Sequence, residues 1–143
     1  MSLVMEVVIA VTPNPDLSKN AVKASHWRNT AKHTRESREV AKWLAFEQTS
    51  EWPANAWKLP LEQAEVVICQ YYSNTPLDYD GLAMKAAPAI DGIVDAGLLA
   101  DDSPKCIKKY ELRHEKVAHR HENRIEISIR EHMPANVPDW LGV

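Results

Sequence analysis

Long apolar runs are missing from this chain. No stretch of its 143 residues approaches the roughly eighteen consecutive apolar residues of a transmembrane helix, so no membrane span is expected. The apolar run Val4–Val11 is short, contains Glu6 and has no Lys or Arg before it, which makes a poor secretory signal. Cysteine is scarce as well. Cys69 and Cys106 are too few for a disulfide framework and read as reduced thiols in a cytoplasmic setting. Four glycines and nine prolines exclude a collagen-like or linker-dominated chain. Internal repeats and low-complexity segments are absent. The net charge of -3 does not by itself suggest a nucleic-acid partner.

What is present fits one globular domain, with 45% hydrophobic and 26% charged residues. The expected domain spans residues 5–132, followed by a tail over 133–143 that carries Pro134, Pro138 and Trp140. The near-neutral total hides a strong partition. Residues 17–43 hold seven basic side chains (Lys19, Lys23, Arg28, Lys32, Arg35, Arg38, Lys42) against Glu36 and Glu39. Residues 105–120 hold six basic side chains against Glu111 and Glu115. Between them, residues 78–102 hold six aspartates against Lys85 alone. Solvated helix faces account for most such runs; the sharper reading is a phosphate-binding surface around a metal-binding carboxylate group.

Periodicity gives the elements. Glu6–Val11 is β-branched and reads as a first strand, ended by Thr12-Pro13-Asn14-Pro15. A basic loop over 17–29 precedes a helix over 32–48, with Val40, Ala41, Trp43 and Leu44 as its apolar side. Residues 65–72 form the clearest strand. A helix over 81–96 follows, with Ala86, Ile90, Ile93 and Val94 inward and Gly97 at its C-terminal end. Pro88 predicts a kink, or a new helix starting there. Residues 107–115 and 122–131 read as strands, the latter with Ile125, Ile127 and Ile129 on one face, and residues 118–123 form the turn between them. The order strand-helix-strand-helix-strand-strand defines an α+β domain, a small mixed or antiparallel sheet with helices packed on one face.

Asp78 and Asp80 are two apart just after the second strand. In an extended chain such side chains point the same way, and two ionised carboxylates at short range favour a bound divalent cation. Asp101-Asp102 follows the second helix; a helix returning beside its own start would bring this pair to the first. The plainer alternative is that Asp78 or Asp80 caps the helix. Asp91 and Asp95, four apart, share a helix face and suit hydrogen bonds to neighbouring loops or a partner. Cys69, within a strand, reads as a buried inert thiol. Trp43 reads as core, whereas Trp27 suits either packing or stacking on a base. His119 and His121, two apart in a turn with His114 near, lack a Cys-x-x-Cys pattern and read as solvated turn histidines rather than a zinc site.

The run Asp78-Tyr79-Asp80-Gly81-Leu82, followed by Ile90-Asp91-Gly92-Ile93-Val94-Asp95-Ala96-Gly97-Leu98-Leu99-Ala100-Asp101-Asp102, resembles the core motif of RusA-type Holliday junction resolvases. These are small endonucleases, mostly phage- or prophage-encoded. Thr12-Pro13-Asn14-Pro15 with Ser18-Lys19-Asn20, then His26-Trp27-Arg28 and Thr34-Arg35, is similar to the family's proline-rich turn and basic loop. The resemblance covers residues 5–130 and departs from the pattern at Gly81, where the family has Asn.

The resemblance implies a homodimer that resolves four-way DNA junctions by paired nicks in recombination and repair, using Mg²⁺ with Mn²⁺ as a substitute. It implies Asp78, Asp80 and Asp102 as metal ligands and catalytic acids, with Asp101 beside them. Lys85 is the nearest match to the family's functional lysine and is expected to steady charge on the phosphate. Lys19, Asn20, Lys23, Trp27, Arg28 and Lys32 are expected to meet the DNA, the cations neutralising backbone phosphates. Gly81 and the position of Lys85 keep a second reading open, a junction-binding protein with weakened cleavage on the same scaffold.

Overall fold

The computed structural model describes residues 6–11, 27–50 and 59–132. The elements are β1 (Glu6–Val11), α1 (Trp27–Ser50), β2 (Ala64–Tyr72), α2 (Tyr79–Asp95), β3 (Ile107–Lys116), a 3-10 turn (Arg120–Glu122) and β4 (Arg124–Glu131). The fold is α+β, in the order expected from the sequence. The four strands form one mixed sheet in the order β1-β4-β2-β3. β1 and β2 each pair antiparallel with β4, and β2 pairs parallel with β3. A parallel pair needs a crossover, and α2 supplies it.

Alternation puts Val7, Ile9, Val66, Ile68, Ile125, Ile127 and Ile129 on one sheet face, where all are buried. Ala41 and Ala45 of α1, together with Leu82, Ala86, Ala89, Ile90 and Ile93 of α2, complete the core against them. The opposite face carries Glu65, Val67, Arg113, Ser128 and Arg130 around a recess of about 130 Å³.

Two expectations for the helices are corrected. α1 begins at Trp27, not Lys32, so Trp27 and Arg28 are helical rather than in a loop; residues 27–31 contain no Pro or Gly to stop it. Its buried side is also different. Trp43 is 61% and Val40 53% exposed, while Ala41 and Ala45 are fully buried. The reason lies in α2. A Cβ on Gly92 would stand 2.1 Å from the Arg38 carbonyl oxygen and 3.0 Å from the Lys42 amide nitrogen. The two backbones meet so closely that only small side chains fit between them, and Trp43 turns outward. There its Nε1 donates to Glu39 Oε1 at 3.1 Å and its ring lies 5.7 Å from that of Phe46.

α2 runs unbroken through the buried Pro88. Burial of Ala86, Ala89, Ile90 and Ile93 on either side holds the segment helical despite the missing N–H. The helix ends as Gly97 predicts. Gly97 has φ 81°, its N–H donates to the Val94 carbonyl, and the Leu98 N–H donates to the Ile93 carbonyl, a Schellman motif. Leu61 N–H then donates to the Leu98 carbonyl and Ala100 N–H to the Leu61 carbonyl. These bonds tie the segment leading to Asp101 onto the start of β2.

Gly92→Ala is expected to destabilise the domain by about 3 kcal/mol, because the methyl group would force the two helix backbones apart. Gly97→Ala is expected to cost about 1 kcal/mol through its positive φ alone. Chemical denaturation of both variants checks the order of the two effects.

Candidate functional site

The acidic residues sit at the two ends of α2, and local hydrogen bonds fix each. At the first end, Gln70 is buried within β2 and its Oε1 accepts from the Leu77 N–H at 2.9 Å. That bond sets the turn before the helix. Asp78 is the N-cap, its Oδ1 accepting from the Gly81 N–H at 2.7 Å. Asp80 lies in the first turn, exposed, where the helix dipole favours a negative charge. The extended-chain expectation for this pair is therefore corrected, because the helix starts between them. The cap also accounts for Gly81, since a Cβ there would stand 2.7 Å from Asp78 Oδ1. The ring of Tyr79 meets that of His114 edge-on at 5.3 Å, and the buried Nε2 of His114 has no hydrogen-bond partner among the described residues.

At the far end, Arg38 of α1 grips Asp95, its Nε donating to Oδ2 at 2.5 Å and its Nη2 to Oδ1 at 2.9 Å. The Arg38 hydrogen bonds hold the Asp95 carboxyl below the usual carboxylate range. Asp101 Oδ1 accepts from the Asp102 N–H at 2.8 Å. The Ser103 hydroxyl, and then that backbone bond, lower the Asp101 pKa. The Asp102 carboxyl reaches Asp91. Burial pushes the Asp91 pKa up, Arg38 pulls it down, and the charges of Asp102 and Asp95 with a hydrogen bond to Asp102 push it up again. Asp102 thus meets Asp91, not Asp78 and Asp80. Asp80 and Asp91 belong to one helix, and eleven residues at 1.5 Å each make about 16 Å. The expected convergence of Asp78, Asp80 and Asp102 does not occur within one chain. Among the described residues, no group of three His, Cys, Asp or Glu side chains is placed to hold a metal ion.

The remaining sites fall as follows. Lys85 is half-buried on α2, and burial lowers its pKa. Lys32 is exposed and stands 3.9 Å from Glu36. Lys19, Asn20 and Lys23 lie outside the described residues, as do the side chains of Trp27 and Arg28. Cys69 is buried, as expected, and burial raises its thiol pKa. Cys106 is also buried and its Sγ lies 3.2 Å from the Leu61 carbonyl oxygen. His119 and His121 are exposed with their rings stacked at 5.4 Å.

Sequence reasoning passed over Gln70, the buried Nε2 of His114 within β3 and the Asp91–Asp102 contact. Gln70 alone carries a signal, a polar residue at a core-facing position of an apolar strand. The open sheet face is charge-balanced. Arg130 pairs with Glu65 at 2.8 Å, Arg124 with Glu126 at 2.8 Å and Arg113 with Glu111 at 2.6 Å.

No protein-family model matches the chain, and no curated protein matches it. No helix among the described residues is long and apolar enough to cross a membrane.

Asp91 has a testable signature. Its raised pKa means the fold disfavours the ionised carboxyl, so the penalty is present above the folded-state pKa and vanishes as pH falls below the unfolded-state value. Asp91→Asn is expected to stabilise the protein at neutral pH, by less than about 1 kcal/mol at this partly exposed site. It is expected to give no gain below the carboxylate range. Thermal unfolding of both proteins across that range checks the crossover.

Proposed function

We propose that the protein is a Mg²⁺-dependent, structure-selective endodeoxyribonuclease that acts on four-way DNA junctions as a homodimer. The observation that carries this reading is Asp102. The acid that the resemblance singles out as a ligand lies at the surface with its carboxyl against that of Asp91. Two carboxyl groups so placed repel when ionised, and a hard divalent cation is the partner that oxygen donors of this kind take. When bound, Mg²⁺ would supply an activated water and polarise a phosphodiester oxygen. The donors do not fit Mg²⁺ within a single copy, because Asp78 and Asp80 stand at the other end of α2. Completing the implied set of Asp78, Asp80 and Asp102 requires a second copy.

The same separation favours a second reading, a junction-binding protein that does not cleave. Asp78 is engaged as a helix cap, and capping is a structural role complete in itself. Lys19, Lys23, Arg28 and Lys32 serve either reading by neutralising backbone phosphates.

A labelled synthetic four-way junction incubated with the protein and Mg²⁺ decides between them. Paired symmetric nicks are expected, reduced about a hundredfold or more by Asp80→Asn and by Asp102→Asn, beyond what loss of an outer-shell partner costs. Tight junction binding without nicks would establish the second reading. Equal affinity for junction and plain duplex would remove both.

A further inference from the structure

The two edges of the sheet are treated differently. At the β1 edge, the Val8 N–H donates to Gln48 Oε1 at 3.1 Å and Gln48 Nε2 donates back to the Val8 carbonyl. The side-chain amide of α1 thus occupies that edge as a further strand would. At the other edge, β3 is ten residues long and, among the described residues, pairs only with β2. A long open edge is a template for another strand, and native proteins commonly discourage that with charges.

The charges on β3 do not discourage a copy of itself. Read outward from Leu112, the flanking residues are Glu111 and Arg113, then Tyr110 and His114, then Lys109 and Glu115. In an antiparallel pair of two β3 strands centred on Leu112, Glu111 faces Arg113 and Lys109 faces Glu115, each twice. Opposite charges directly across an antiparallel pair are stabilising. Both members of every pair lie on the same sheet face, as alternation requires. Tyr110, 48% exposed, comes opposite His114, whose buried Nε2 lacks a hydrogen-bond partner among the described residues. Only Lys108 and Lys116, at the fringe, bring like charges together. Within one chain, Glu111 Oε2 lies 2.6 Å from Arg113 Nη2 but without hydrogen-bond alignment, so neither side chain is locked away from a cross-strand partner.

We propose that β3 is the dimer surface, and that its partner is the β3 of a second copy, antiparallel about a two-fold axis at Leu112. The result is one continuous eight-stranded sheet with an isologous interface. One consequence rests on the nuclease reading. Antiparallel strands set the C-terminal end of one β3 beside the N-terminal end of the other. The Asp78–Asp80 end of each copy therefore shares a rim with the Asp101–Asp102 end of its partner.

Sedimentation equilibrium of the full chain, in chelator and without DNA, tests the surface independently of the nuclease reading. A dimer is expected. Arg113→Glu is expected to raise its dissociation constant about tenfold or more, because two attractive cross-strand pairs become repulsive. Adding Glu111→Arg to that variant is expected to restore the dimer, and Lys116→Glu alone to tighten it by removing the fringe repulsion. Should Arg113→Glu fail to fold, Lys109→Glu probes the outer pair in the same way. A monomeric wild type, or a dimer indifferent to these reversals, overturns the proposal.

Discussion

The parallel pairing of β2 with β3 is the constraint on which the rest of the architecture depends. A chain leaving the top of one parallel strand must be carried back to the bottom before it can enter the next. α2 performs that return, so whatever precedes it sits at one rim of the sheet and whatever follows it sits at the other. Asp78 and Asp80 precede it; Asp101 and Asp102 follow it. Their separation is fixed by strand direction, and no choice of side-chain rotamer undoes it. An antiparallel β2–β3 hairpin would have needed no helix and would have left the two acidic pairs close in space.

Holding α2 in that position depends on a contact with almost no side-chain volume in it. Gly92 lies against the Arg38 carbonyl, and Ala41 and Ala45 fill the space alongside. The ion pair between Arg38 and Asp95 then crosses the same junction at its exposed end. One residue thus serves twice: its backbone sets how near the helices come, and its guanidinium sets how they are turned. Asp95 is therefore a structural acid, spent on Arg38, while Asp91 one turn earlier is left to meet Asp102.

Much of the fold was legible in the sequence because strands declare themselves locally. Ile125, Ile127 and Ile129 alternate, residues 65–72 are β-branched and aromatic, and Gly97 marks a helix end that the Schellman motif then uses. What could not be read is what arises between elements. The apolar side of α1 looked like Val40, Trp43 and Leu44 by size and spacing, yet Gly92, some fifty residues away, decided that alanines face inward. The acids looked convergent because their spacing allows a return, and the direction of β3, which no local pattern encodes, decided otherwise. The side chains of the basic segment 17–28 lie outside the described residues.

The edge strand joins these threads. β1 is closed by Gln48, whereas β3, among the described residues, ends the sheet with a charge order over 109–115 that reads the same from either end once sign is inverted. An edge guarded only against aggregation would be served by lysines throughout, since repulsion needs no order. Glu111 and Glu115 placed as the mirror positions of Arg113 and Lys109 turn that repulsion into attraction for one register of one partner, this chain itself, while a slip by two residues sets like charges against each other. Such a pair has two-fold symmetry, as a four-way junction cut at paired positions requires. It also places on one rim the acids that the crossover keeps apart within each copy. The proposed activity and the proposed interface thus answer the same structural fact, the direction of β3.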